Sequence, residues 1–262
     1  MNNIFYSFIL FVFSFLVSCQ PVFVEPGDCE IIKIGNKTKD SIKVVEPPTN
    51  FLRIASITNS DGLIENYQYD NVGRIVRSNN LQAKTYKTYS YPTGKIEIKE
   101  FDSFNVNTIT SKGILNSKGL LVNLEVYENA IFTFKKTYLY NDSMQVVKEV
   151  VLDVVANKEA STAWIYDEDG NIEEIETNND GVKLSTSGFM YNPKPNFLKN
   201  ELKGMGFLGE MYKDEAMYFG DLFEGTLEFY TYEYNDKGYV VKLINQKVFS
   251  TDNSWTLYTY NK

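Results

Sequence analysis

An aromatic-x-aromatic triplet followed by a turn recurs along this chain at a nearly constant interval, and no other feature limits the fold as much. The fullest copy is Tyr67-Gln68-Tyr69-Asp70-Asn71-Val72-Gly73-Arg74-Ile75. Others end on Tyr91, Tyr140, Tyr166, Tyr191, Tyr234 and Tyr260, and Leu115-Asn116-Ser117-Lys118-Gly119 keeps the turn without the rings. Measured at the second aromatic position, the steps are 22, 24, 25, 26, 25, 43 and 26 residues. A fixed period in this range marks repeated supersecondary units.

The residue types say which unit. Tyr, Phe, Val, Ile and Thr favour a pleated, half-buried surface. Alternation is clean in Lys95-Ile96-Glu97-Ile98-Lys99 and in Thr256-Leu257-Tyr258-Thr259-Tyr260. Asn or Asp followed by Gly supplies the positive φ of hairpin turns. Two strands and two turns fill about 25 residues, so each repeat reads as a β-hairpin. The chain is then an all-β antiparallel meander of about fourteen to sixteen strands. A sheet that wide must twist and curl, into a half-barrel or a wide barrel. Both rings of a triplet face the same side, so successive copies build a tyrosine ladder. That ladder accounts for 19 tyrosines in 262 residues. Rings of this kind suit contact with a ligand while holding a hydroxyl near water. Tyr67, Tyr69, Tyr138, Tyr140, Tyr166, Tyr232 and Tyr234 are therefore the candidate binding residues.

The 43-residue step carries an insertion, Phe197 to Thr226, with five of the 16 glycines and three of the six methionines. It reads as a long loop covering one open end of the core, with Leu208 to Tyr218 as a short helix or apolar plug. As an alternative it is a lid, since long loops often carry function.

Residues 1–18 carry no charged side chain, and Ile4 to Val17 is an almost unbroken apolar run. About fourteen residues is short of the roughly 20 that a membrane-spanning helix needs. The run ends in Leu16-Val17-Ser18-Cys19, which resembles a bacterial lipobox, although Met1-Asn2-Asn3 lacks the usual Lys or Arg. The resemblance implies that residues 1–18 are a lipoprotein signal peptide and that Cys19 is the lipidation site. Residues 19–28 then form a tether, and 29–262 one repeat-built β domain. Cys29 reads as a small half-buried strand residue. The implied address is the outer membrane, reached through a lipid anchor, and Gln20-Pro21 does not select the periplasmic or the outer side.

Composition removes most chemistry. Histidine is absent, which excludes His-dependent nucleophile systems, imidazole bases and His metal sites. Net charge is −8 and only Arg53, Arg74 and Arg77 carry guanidinium groups, so nucleic acid is not an expected partner. Asp167-Glu168-Asp169-Gly170-Asn171 has calcium-loop character, but the slot for a first ligand holds Ile165, and the turn alone explains the rest. Glu173-Glu174-Ile175-Glu176 reads as a solvated strand face. No enzyme activity, metal or cofactor is expected.

The Tyr67–Ile75 copy resembles the tyrosine–aspartate repeat of Rhs and teneurin shells. Taken in order, the lipobox, the repeated hairpins and a long insertion beginning near Lys194-Pro195-Asn196-Phe197 resemble a family of Gram-negative lipoproteins with a porin-like fold. That resemblance covers roughly residues 50–262. It implies a fold and an address, with no catalytic residues. Lys and Glu interrupt both strand faces, as in Lys95 to Glu100, so a lipid-spanning barrel is not expected. The functional expectation is a non-catalytic, lipid-anchored envelope protein that binds a glycan, a peptide or a protein. The alternatives are an apolar-ligand or lipid carrier with 197–226 as lid, and a carboxylate-dependent hydrolase.

Overall fold

A computed structural model describes residues 52–195, 200–221, 226–248 and 253–261. The expected signal segment, Cys19, the tether and Cys29 lie outside the described residues, as do Asn196 and Phe197 of the insertion.

Sixteen antiparallel strands, β1 (Arg53–Asn59) to β16 (Asn253–Asn261), pair in chain order among the described residues. The sheet closes into a barrel where β1 meets β16, with Ile54 opposite Tyr260 and Ile57 opposite Tyr258. Closure, rather than a half-barrel, leaves no edge for another chain to pair with.

The repeat has a local cause. Between β2 (Ile64–Tyr69) and β3 (Ile75–Asn80), the Asp70 carboxylate accepts the N–H groups of Val72 and Arg74 at 3.1 and 2.9 Å, and Gly73 adopts φ 81°. The register then slips by one residue, opposing Tyr69 to Ile75. This is a turn with a glycine bulge. Asn116, Asp167 and Asn235 head the same turn, with Gly119, Gly170 and Gly238 at φ 80°, 86° and 79°. Asn141 heads another, with Met144 in the glycine slot at φ 63°.

In six of the seven aromatic triplets the second tyrosine completes the unit, its hydroxyl donating to a backbone carbonyl at the same end of the barrel. Tyr234 instead donates to the Glu215 carboxylate. Tyr69 reaches Ile54 O at 2.6 Å, Tyr91 reaches Ile75 O at 2.8 Å, and Tyr140 reaches Leu121 O at 2.8 Å. Tyr166 reaches Val146 O at 2.9 Å and Tyr260 reaches Val240 O at 2.7 Å. A buried carbonyl left without a partner is costly, so each phenol stabilises the hairpin before it.

All these rings point into the barrel. They pack on a ring of aliphatic residues that includes Ile54, Ile75, Ile96, Leu121 and Val240, each no more than 1% exposed. In the copy without rings, Gly113 of β6 (Asn107–Leu115) faces the same interior. A methyl group there would lie 2.5 Å from Leu121 Cδ1 and 2.6 Å from Ile96 Cγ2. Gly113→Ala is therefore expected to overpack this level and cost about 1–3 kcal/mol, readable as a lowered denaturation midpoint. An unchanged midpoint would show that the neighbouring side chains yield freely.

The outer wall is charged along its length. Lys99 pairs with Glu97 at 3.1 Å, Lys242 with Glu233 at 2.7 Å, and Lys183 with Glu174 and Glu176 at 3.6 and 2.5 Å. Between these charges, single apolar residues such as Leu139, Ile165 and Met190 are exposed.

Candidate functional site

The seven candidate tyrosines all line the interior. Tyr67 is 9% exposed, and the other six are half-buried. Their hydroxyls are engaged. Tyr67 donates to Glu65 at 2.5 Å, Tyr232 to Ala216 O at 2.8 Å, and Tyr234 to Glu215. Tyr69, Tyr140 and Tyr166 hold the carbonyls named above. Burial raises the phenol of Tyr138 well above its ordinary value, and the neighbouring Glu149 carboxylate adds to the effect. The ladder is thus the lining of the barrel, with its rings turned away from outside solvent.

The insertion closes the end of the barrel that carries the tyrosine turns, and β1 begins at the same end. Two 3₁₀ turns, Asn200–Lys203 and Gly206–Leu208, cross the opening. Gly204 O accepts Ile75 N–H at 3.1 Å, and Glu210 N–H donates to Met144 O at 2.9 Å. Gln145 Nε2 links Gly170 O at 2.8 Å to Met211 O at 3.2 Å. Asp214 N–H donates to Asn171 Oδ1 at 2.7 Å, and Asn171 Nδ2 returns a bond to Asp214 at 3.0 Å. An apolar plug is present, with Phe207 9% exposed and Tyr212 7%, but it ends sooner than expected: Asp214 to Tyr218 belong to a wall strand, β13 (Asp214–Asp221). It enters as short turns and an extended segment, because Gly204, Gly206 and Gly209 interrupt any helix.

Beneath the plug lies a cavity of about 90 Å³. Strands β8 (Ile131–Tyr140), β10 (Lys158–Tyr166) and β12 (Val182–Pro195) bring Tyr138, Trp164, Tyr166 and Phe189 to it. The plug adds Leu208, Glu210, Met211 and Tyr212. Glu149 also reaches the lining, held by Lys136 Nζ at 3.2 Å with both side chains under a tenth exposed. Of the candidate residues, Tyr138 and Tyr166 meet at this cavity, whereas Tyr67, Tyr69, Tyr140, Tyr232 and Tyr234 do not line it.

Trp164 and Phe189 occupied ladder positions in the sequence without being singled out. Lys136 and Glu149 were missed, although strand parity gives the signal: Lys136 shares a face with Phe134 and Tyr138. Glu174 and Glu176, in contrast, lie outside and pair with Lys183, and Asp167 accepts the Asn171 N–H of its own turn at 2.8 Å.

Neither a protein-family model nor a curated protein matches the sequence. The fold is similar to that of a porin-like protein from Bacteroides uniformis ATCC 8492, with TM-score 0.61 and 16% identity over 82% of this chain and 98% of that one. It is also similar to a porin-like protein from Bacteroides vulgatus ATCC 8482, with TM-score 0.54 and 12% identity over 80% and 99% of the two chains. The porin-like fold implied by the resemblance is therefore the fold of this chain.

Proposed function

We propose that this chain is a non-catalytic, lipid-anchored binding protein of the cell envelope, whose ligand site is the aromatic cavity under the plug. The observation that carries the reading is that cavity: the interior gathers aromatic side chains around it, and the insertion roofs it. Concave, mostly apolar sites with a few polar groups are the usual form of small-molecule sites.

The polarity of the wall supports an envelope protein standing in water. A barrel that spans lipid carries an apolar outer band, and Lys or Arg near mid-bilayer costs about 2–4 kcal/mol each. Ion pairs stud the outside of this barrel, and the tyrosine ladder lines its inside. Membrane attachment is then assigned to Cys19, since two or more acyl chains suffice for stable anchoring. A cavity of about 90 Å³ suits one small molecule rather than the lipid of the carrier reading. The hydrolase reading would employ Glu149 and Glu210, and Glu149 is already held by Lys136 Nζ at 3.2 Å.

The anchor is tested by expressing the full chain and its Cys19→Ser variant with a labelled fatty acid in a Gram-negative host. Label and membrane association are expected for the parent only. Equal labelling of the variant, or membrane association without label, would overturn the assignment.

A further inference from the structure

We infer that the barrel end opposite the plug seats on a zwitterionic lipid surface at headgroup level, so that the plug and its cavity face away from the membrane. The inference rests on the reading of the chain as membrane-attached, and adds which end meets the lipid.

The turns of that far end are apolar. The four most exposed large apolar side chains among the described residues all lie there: Phe104 at 83%, Val155 at 73%, and Ile131 and Val182 at 63% each. Leu81 and Val106 are exposed beside them. These six residues come from five successive hairpins, so they stud a rim rather than line a groove. A flat occupant reaches all of them at once. The Asp102 carboxylate accepts the N–H groups of Phe104 and Val106, both at 2.9 Å, and Asp153 accepts that of Ala156 at 2.8 Å. These carboxylates are engaged within their turns, and the apolar neighbours are left to the outside. Apolar clusters on a surface mark sites of contact with a partner or a membrane.

Aromatic rings stand on the outer wall just above the turns, and they select the membrane. Tyr86 lies opposite Phe101, Tyr127 opposite Phe132, and Tyr218 opposite Phe229, with ring centroids 4.6, 5.4 and 5.3 Å apart. Each is within three residues of the far end of its strand. Strand parity turns them outward, because the buried Tyr89, Val126 and Tyr230 occupy the opposite face. Trp255, opposite Ile244 near the start of β16, joins them by the same parity against Tyr258. None of the seven belongs to the tyrosine ladder. Tyr and Trp gather at membrane–water interfaces, where their rings sit among the headgroups. The Arg77 guanidinium lies 3.8 Å from the centre of the Tyr86 ring and Lys112 Nζ 4.8 Å from that of Tyr127, which adds cations at the ring level. Apolar tips, then rings with cations, is the order of layers that a lipid surface presents.

Charged pairs set the depth. Lys158 meets Asp180 at 3.5 Å and Lys183 meets Glu176 at 2.5 Å close to the same end, so the barrel stops at the headgroup boundary. The net charge of −8 disfavours an anionic surface, which leaves a zwitterionic one. Although β1 begins at the plug end, the 32 residues between Cys19 and Leu52 can span up to about 110 Å, against about 30 Å for a wall strand. An anchor at Cys19 therefore permits this orientation.

The experiment uses the full chain with Trp164→Phe, so that fluorescence reports on Trp255, incorporated into phosphatidylcholine vesicles. Co-sedimentation reads attachment, and quenching by phosphatidylcholine brominated near the head of its acyl chains reads seating. Trp255 is expected to lose about half its intensity, since interfacial elements reach about 5–10 Å into the headgroup and acyl boundary. A plug-end reporter, Val72→Trp with both native tryptophans replaced by Phe, is expected to stay unquenched. Adding Phe104→Asp and Val155→Asp to the Trp255 reporter is expected to restore its intensity while the chain still sediments with the vesicles. Both positions are exposed, so the barrel should keep its circular dichroism. Attachment with Trp255 unquenched, with the two reporters quenched alike, or with quenching that survives the Asp substitutions overturns the seating and leaves the anchor. Dimers in sedimentation velocity alongside an unquenched Trp255 would make a second copy the occupant instead. Failure to sediment with the vesicles overturns both.

Discussion

Titrated upward from pH ~9, the barrel is expected to lose its fold in one cooperative step, with its tyrosines ionising together rather than singly. At least twelve inward-facing tyrosines, from Tyr67 to Tyr260, have phenols raised above their ordinary value, and burial is the leading cause in every case. The folded state therefore keeps protons that the unfolded chain gives up near pH ~10. Stability is whole below that pH and falls above it. Each such phenol removes about 1.4 kcal/mol per pH unit once its unfolded counterpart is ionised. A domain holds only about 5–15 kcal/mol in total, so a handful of phenols acting together suffices. Tyrosinate absorbance at 295 nm and far-ultraviolet circular dichroism should change together, at pH ~11 to ~12. Tyrosinate absorbance rising smoothly around pH ~10 with the barrel intact would refute the picture of a sealed phenol lining.

The second large effect concerns the plug. Gly209 has φ 82°, and a side chain there would meet Met144 O at 2.3 Å and Tyr140 Cε1 at 2.8 Å. Both neighbours belong to the wall, and one is backbone. Gly209→Val adds a left-handed backbone penalty of about 1–2 kcal/mol to a contact that only undocking relieves. The total is expected to reach about 3 kcal/mol or more, a melting decrease on the order of 10 °C for a domain of this size. Proteolysis within residues 200–213 should accelerate. Gly119→Ala is the control, since Gly119 has φ 80° but nothing within 4 Å of its added methyl. It should cost only about 1 kcal/mol. If the two variants melt alike, the plug is not keyed to the wall as described.

Much of this architecture was legible because it is local. The parity of Tyr67 and Tyr69 places both rings on one face, and Asp70 with Gly73 builds its turn from its own atoms. The Leu115 copy was readable from Asn116 and Gly119 alone, and the structure gives it the same turn. The interior pair Lys136–Glu149 was harder to find. It joins two strands 13 residues apart, and in sequence both residues look like ordinary solvated charge. Gln145 reads as a turn residue, yet its amide links the turn between β10 and β11 (Ile172–Asn179) to the plug 66 residues away.

The amino-acid order by itself determined the hairpin unit, its period, its turns and the shared face of its rings, since each depends on contacts within a few residues. The tertiary structure decided that β16 returns to β1, that the shared face becomes the inside, and that residues 200–213 fold across one end to roof a cavity. Those outcomes depend on the accumulated curvature of sixteen strands and on where one long insertion comes to rest. No single repeat contains either quantity.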